Sequence, residues 1–351
     1  MPAPRPSLDG TPAPPGPRVG RHLQVLVVTN LWPTEADPGW GTFVQAQMES
    51  LRPLGVDYDT VFVNGRESLA NYLRGVLQVR RSLAAKRYDL IHAHFGLSGW
   101  VARFQGRVPV VVSFMGDDVL GRFDRRGRVG VVGQFYRVSS FILARAVAAV
   151  IVKSEPMKAR LHLESAHVIP NGVDLEVFRP MDLAEARRIL KLDAGRKYVV
   201  FPYDPAVANK RFDLIEAAVR QARRDVPELE LLQVGCVPHR QMPLYLNAAD
   251  ALVLASHSEG SPNVVKEAMA VNLPVVSVDV GDVAEIIGPT QGCCLVPRRV
   301  EDIAAGIVEA VRLGTRTRGR EWIGRYSQDK VAGQIRAVYR SVAGEIESGG
   351  T

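Results

Sequence analysis

Residues 249–281 hold the pattern that most restricts the fold. Ala249-Asp250-Ala251-Leu252-Val253-Leu254-Ala255-Ser256 and Leu273-Pro274-Val275-Val276-Ser277-Val278-Asp279-Val280-Gly281 are near-continuous apolar runs of strand length, and between them Val264, Val265, Ala268 and Met269 recur at helical spacing. Strand, helix and strand of this kind form a βαβ unit of a parallel sheet, whose ligands bind beyond the carboxyl ends of its strands. The loop Ser258-Glu259-Gly260-Ser261-Pro262-Asn263 falls at that end. Ser261 suits an N-cap and Pro262 a first helical position, so a helix is predicted from Ser261, its free N–H groups and partial positive charge facing any phosphate or sugar oxygen placed before it. Glu259 then lies in the loop and Glu267 about two turns into the helix, where both can face one ligand. Two unrelated surface glutamates are the other reading of the same spacing.

The rest of the chain repeats the alternation. Strand and helix segments follow one another at Leu23–Thr29, Phe43–Leu54, Tyr58–Val63, Leu69–Lys86, Leu90–Ala93, Val108–Ser113, Val131–Ala146 and Ala148–Val152. A second series runs through Tyr198–Phe201, Asp213–Arg224, Leu229–Val234, Met242–Ala248, Ala251–Ala255, Val264–Val271, Val275–Val278 and Cys294–Val296, with helices from Val300 onward. The expected fold class is therefore α/β, two Rossmann-like doubly wound parallel-sheet domains with a cleft between them, and 351 residues is a comfortable length for two cores. Turn-rich residues 167–180 separate the series, so the expected organisation is a disordered Pro/Gly/Ala-rich tail over 1–20, a first domain over 21–179 and a second over 180–327.

Charge is unevenly placed. Residues 1–180 hold 22 Lys and Arg against 15 Asp and Glu, and residues 181–351 hold 22 against 22, so the net +7 belongs to the first half. That asymmetry points to an anionic partner. No zinc finger, RNP motif or helix-turn-helix pattern accompanies it, which disfavours nucleic acid. Basic amphipathic stretches over Arg66–Arg87 and Gly121–Arg137, the latter with Arg122, Arg125, Arg126, Arg128, Phe123, Phe135 and Tyr136, suit an anionic membrane surface; a solvated helix face is the alternative for the first. The longest apolar run, Phe141 to Val152, is broken by Arg145 and too short to span a bilayer. Cys236, Cys293 and Cys294 show no metal-ligand spacing, and no metal is expected. The expected setting is cytoplasmic, peripheral to the inner face of the membrane.

Three further loops end strands or open helices. Gly39 and Gly41, ahead of the Phe43 helix, permit close backbone approach to a diphosphate, though such a loop is also a common turn. His92 and His94 end a buried strand on one face, and His94, beside Gly96, is the better acceptor-side candidate. Asn209-Lys210-Arg211-Phe212-Asp213 opens a helix after the strand at Phe201.

The Glu–seven residues–Glu segment from Glu259 to Glu267 resembles the signature of the retaining GT-B glycosyltransferases of family 4 (glycosyl transferases group 1), and especially enzymes that build bacterial surface polysaccharides. Asn171-Gly172-Val173-Asp174 resembles the family's interdomain motif, and by the same resemblance a last helix over about Lys330–Glu347, within a segment 328–351, crosses back onto the first domain. In Val112-Ser113-Phe114-Met115-Gly116-Asp117-Asp118, Met115 stands where the family commonly has His. The family's Arg slot falls near Tyr203 or Asp204, so Arg211 becomes the stand-in beside the matching Lys210.

The resemblance implies a metal-independent, retaining transfer from a nucleotide-diphosphate sugar, a UDP- or GDP-sugar, to a glycan or lipid-linked acceptor, with no further cofactor. Glu267 would hold the ribose hydroxyls, and Glu259 with the amides of Gly260, Ser261 and Asn263 the sugar or phosphates. Gly41 would close over the diphosphate, and Lys210 with Arg211 would offset its charge; His94, Gly116, Asp117 and Asp118 would stand on the acceptor side. A nucleotide-sugar epimerase of the same fold and a catalytically silent nucleotide-sugar-binding protein are the alternatives, the first disfavoured by the basic first domain.

Overall fold

The computed structural model describes residues 22–124, 126–235 and 237–344. The expected tail, Arg125, Cys236 and residues 345–347 of the expected last helix lie outside the described residues.

Eleven strands form two parallel sheets among the described residues, one in each lobe. The first combines β1 (Leu23–Thr29), β2 (Val56–Phe62), β3 (Leu90–His94), β4 (Val110–Ser113), β5 (Ala149–Val152) and β6 (His167–Val168), in the order β2-β1-β3-β4-β5-β6. The second combines β7 (Lys197–Phe201), β8 (Leu229–Gln233), β9 (Ala251–Leu254), β10 (Val275–Ser277) and β11 (Cys294–Leu295), in the order β11-β10-β9-β7-β8. Valine and leucine dominate the central strands, which are buried on both faces, as parallel sheets covered by helices require.

Six helices belong to the first lobe: α1 (Thr42–Leu51), α2 (Ala70–Ala85), α3 (Gly96–Arg103), α4 (Asp117–Leu120), α5 (Val131–Ala144) and α6 (Glu155–Leu161). The second holds α7 (Leu183–Leu190), α8 (Phe212–Ala222), α9 (Met242–Ala248), α10 (Asn263–Ala270), α11 (Val283–Ile287), α12 (Val300–Leu313) and α13 (Gly319–Ile323). A last helix, α14 (Gln328–Val342), returns to the first lobe, where Val331, Ala332, Ile335, Val338 and Tyr339 bury against Leu23, Val25 and Val27. Outgoing and returning chains run side by side: Val173 donates its N–H to Tyr326 O at 2.9 Å, and Gln328 donates to Val173 O at 3.0 Å. Gly172 has room for no Cβ, which would meet Gln328 Cα at 2.7 Å.

The structure corrects several boundaries. Residues 167–168 pair with β5 as a sixth strand instead of belonging wholly to a crossover. Helices α3, α6 and α7 were not expected from periodicity, being only seven or eight residues long. α10 begins at Asn263 with Pro262 at its N-cap, so Ser261 is not the cap. No described helix is long and apolar enough to cross a membrane.

Candidate functional site

In the first sheet β1 has β2 on one side and β3 on the other; in the second β7 lies between β8 and β9. At each of these points the chain leaves neighbouring strands in opposite directions, so the following loops part and open a crevice. The loops after β1, β7 and β9 carry residues 30–41, 202–211 and 255–262, and both crevices face the gap between the lobes.

A cavity of about 590 Å³ occupies that gap. Its second-lobe wall is polar, with Asn209, Lys210, Glu259 and Gly260; its first-lobe wall carries Trp40, Phe43, Tyr72, Phe95 and Tyr136 alongside Asp117, Arg66 and Arg122. Lys210 Nζ donates to Glu259 Oε1 at 2.6 Å, with both side chains largely shielded from water, and the same ammonium stands 3.7 Å from the Tyr203 ring centre. Asn209 ties the two loops together, donating to Ser258 O at 2.8 Å and accepting from the His257 N–H at 2.8 Å. The lobes touch where Gly260 meets Gly116: a Cβ on Gly260 would lie 3.0 Å from Met115 O and 3.3 Å from Gly116 Cα, and Gly116 itself has φ +136°. Asp117 lines the cavity with its carboxylate 3.6 Å from Arg122.

A second cavity of about 350 Å³ adjoins it, with Phe43 lining both. Glu267 and Asn263 line it from α10, and Thr42, Gln47 and Glu49 from α1. Glu267 Oε1 lies 2.8 Å from His239 Nε2, and that hydrogen bond holds the imidazole above its ordinary range against the opposing effect of burial. Asn263 accepts at 3.2 Å from Asn171 of the crossover.

Other expected site residues are engaged elsewhere. Arg211, left-handed at φ +53°, donates from Nε and Nη2 to Asp213 at 2.9 and 2.8 Å and does not line either cavity, so the structure does not make it Lys210's partner in the cleft. His94 is fully buried, bonded to Gln47 at 3.1 Å, and burial pushes it well below its usual value; it is a neutral core group, not an acceptor-side residue. Asp118 is also buried, accepting N–H bonds from Met115, Gly116 and Gly96 at 2.9, 2.9 and 3.0 Å, so it shapes the β4–α4 turn and touches no ligand space. Ser261 donates to Asp282 and accepts from the buried Lys266 ammonium, both at 2.7 Å; burial pushes that lysine down to about 8. Gly41 lines neither cavity; at φ +72° it lets the β1–α1 loop fold back, since a Cβ would fall 2.1 Å from Leu31 C.

Sequence reasoning missed His239, whose loop carries no apolar period, and assigned Arg122 and Tyr136 to a membrane face when both line the cleft. Tyr72 falls in the Arg66–Arg87 stretch read as a membrane or solvated face, and it too lines the cleft. A further cavity of about 820 Å³ lies at the opposite end of the first sheet, bounded by His22 and Asp89, away from these groups.

The pattern of Glycosyltransferase Family 4 matches residues 19–177, and that of Glycosyl transferases group 1 matches residues 213–312. The teichuronic acid biosynthesis glycosyltransferase TuaC of Bacillus subtilis is 25% identical over 349 aligned positions, covering 81% of this chain and 88% of the relative. A D-inositol 3-phosphate glycosyltransferase of Segniliparus rotundus is 27% identical, covering 78% and 70%. Among solved structures, a sucrose-phosphate synthase from Thermosynechococcus elongatus superposes with TM-score 0.74 at 21% identity, covering 92% of this chain and 99% of that one. Anabaena HepE in complex with UDP and glucose superposes with TM-score 0.66 at 17% identity, covering 91% and 100%.

Proposed function

This chain belongs to the family 4, group 1 glycosyltransferases of GT-B architecture, and from that membership we propose that it moves a sugar from a UDP- or GDP-sugar to a glycan or lipid-linked acceptor, without a metal and with retention at the anomeric carbon. The observation that carries the donor reading is the Lys210–Glu259 pair in the cleft, with Glu267 eight residues on in the adjoining cavity. Glu267 accepts from ribose hydroxyls, displacing His239. The diphosphate lies between Lys210 and the start of α10, where the N–H groups of Gly260, Ser261 and Asn263 favour negative charge. The ammonium then counters the charge that develops as the bond from the anomeric carbon to phosphate oxygen breaks. The acceptor hydroxyl approaches from the face the nucleotide leaves, its oxygen bonds to that carbon, and its proton passes to the departing phosphate. Retention would be read from the anomeric configuration of the product by NMR.

The aromatic first-lobe wall suits an acceptor sugar ring, which stacks its C–H face on such side chains. The proposed setting is the cytoplasm, at the inner face of the membrane. Anabaena HepE is described with UDP-glucose, which makes UDP-glucose the first donor to test. Removing the Glu267 carboxylate by Glu267→Ala is expected to weaken donor binding in calorimetry by about 1–3 kcal/mol, the cost of an unpaired hydrogen-bonding group. Unchanged affinity would remove Glu267 from the donor site.

A further inference from the structure

Helix α5 wears its apolar face outward. Ser140, Leu143 and Ala144 are buried on the inner side, Leu143 and Ala144 in the core under the sheet, and on the opposite side Val131, Phe135, Val138 and Ile142 form one stripe at i, i+4, i+7 and i+11, from 52% to 87% exposed. A surface helix ordinarily places polar side chains there. Helix α2 repeats the inversion: Gly75 and Val79 face inward, while Leu69, Leu73 and Leu77 are 54% to 75% exposed. Helix α3 lies between the two and touches both, so the stripes belong to one outer layer of the first lobe. Ten of the sixteen most exposed large apolar side chains among the described residues lie between Leu69 and Ile142. A concentration of this kind marks an interaction surface.

We propose that the outer face of α2 and α5 docks on an anionic lipid bilayer. Residues 66–145 hold 14 Lys and Arg against 5 Asp and Glu, and one of those acids, Asp118, is buried. Arg74, Arg80 and Arg81 of α2 are exposed alongside its stripe. A second copy of this chain docked two-fold on the same face would set these arginines against each other. Anionic headgroups pair with the arginines while the acyl boundary takes the apolar stripe, so one partner satisfies both features. The surface keeps α2 and Phe135 from the stretches the sequence suggested and loses Phe123, Tyr136 and Arg122. Phe123 stacks on His257 of the second lobe with ring centres 6.4 Å apart, and Tyr136 and Arg122 face the cleft.

The docking face adjoins the cleft. Tyr72 of α2 and Tyr136 of α5 reach into the 590 Å³ cavity from the helices whose outer sides carry the stripes. Docking brings the cleft mouth to the headgroup layer, where a lipid-linked acceptor can react without leaving the membrane. Only this last step rests on the proposed transferase reading.

The test is co-sedimentation of the full chain with vesicles of phosphatidylcholine alone and of phosphatidylcholine mixed with phosphatidylglycerol, at low and high ionic strength. Wild type is expected to sediment with the anionic vesicles and less so at high salt. The variants Phe135→Gln/Val138→Gln/Ile142→Gln and Leu73→Gln/Leu77→Gln should each lower the bound fraction, the triple variant by about tenfold or more, because the buried apolar area is lost. An unchanged melting temperature shows that they fold, and calorimetry with UDP-glucose reports the donor site separately, so loss of vesicle binding with donor binding intact supports docking. Variants that sediment as well as wild type overturn the proposal. So does a wild-type dimer in ultracentrifugation that the triple variant disperses without any vesicle binding. Vesicle binding by a chain that takes no donor would leave docking standing and the transferase reading failed.

Discussion

Lys210 and Arg211 are neighbours in sequence and point into different surroundings because the backbone turns left-handed at Arg211, φ +53°. That turn ends a short 3₁₀ segment, sends the guanidinium back onto Asp213 of α8, and leaves the Lys210 ammonium in the cleft against Glu259. Lys210→Ala is therefore expected to lower kcat/KM by about 100-fold or more, as loss of a charge aimed at the leaving group does, while Arg211→Ala changes it only a few-fold. Steady-state kinetics on the two variants decides the matter. Equal losses would mean that Arg211 leaves Asp213 when donor binds. His94 illustrates the converse: a histidine at a strand end looks chemical in a sequence, yet burial makes it a neutral hydrogen-bonding group beside His92, which burial pushes down to about 3.

Among elements, the two turns that meet across the cleft set its width. The turn before α4 is held by Asp118, which accepts three backbone N–H bonds, and presents Gly116 to the loop before α10, where Gly260 allows backbone approach. A side chain at 260 crowds this contact, because its Cβ would press on the Met115 carbonyl at 3.0 Å, and the bulk of a branched side chain beyond that Cβ is expected to push the lobes apart. Gly260→Val should cut kcat/KM sharply with little change in melting temperature, and small-angle scattering should show a larger radius of gyration. An active variant of unchanged radius would show that the loops yield instead of the lobes. Pairing at this level also explains α10. Ser261 is a good cap by type, but its hydroxyl is taken by Lys266 and Asp282, so the helix starts two residues later. At α7 the local signal was present and overlooked: Asp182 accepts the Glu185 N–H at 2.9 Å, an N-cap with Glu at the third helical position.

Across the whole molecule, buried ammonium groups connect stability to pH. Lys153, at the end of the first sheet, is 1% exposed with its Nζ 3.4 Å from Ile169 O; burial pushes it down to about 7, nearby Lys266 adds to the fall and Asp118 opposes it. Unfolded, the same lysine titrates near 10.5. Between about 7 and about 10.5 the unfolded chain binds more protons than the folded one, so this group makes stability rise with pH across that window, and its full cost is felt below it. Lys266 acts in the same sense. Lys153→Met is expected to raise stability at pH 6 by about 1–4 kcal/mol, as replacing a poorly paired buried charge often does, and to flatten the rise. Calorimetric melting temperatures from pH 6 to pH 9 check this; a destabilised variant with the slope intact would show that the ammonium is stabilised by its surroundings.

The α/β class, the doubling of the sheet and the loop holding Glu259 were legible from the sequence because they rest on local periodicity: apolar runs such as Leu252–Leu254 and Val275–Val278 specify buried parallel strands whatever surrounds them. Lys210 and Glu267 were legible for a similar reason, each sitting a fixed number of residues beyond a strand or a helix start. Which residues share a cavity was not legible, because Tyr72, Met115, Tyr136 and Glu259 lie on four elements and meet only through strand order and the way Gly116 and Gly260 let the lobes approach. The direction of α5's apolar stripe was equally hidden. A helical period says that one face is apolar; only the burial of Leu143 and Ala144 in the first-lobe core decided that the larger apolar face looks outward.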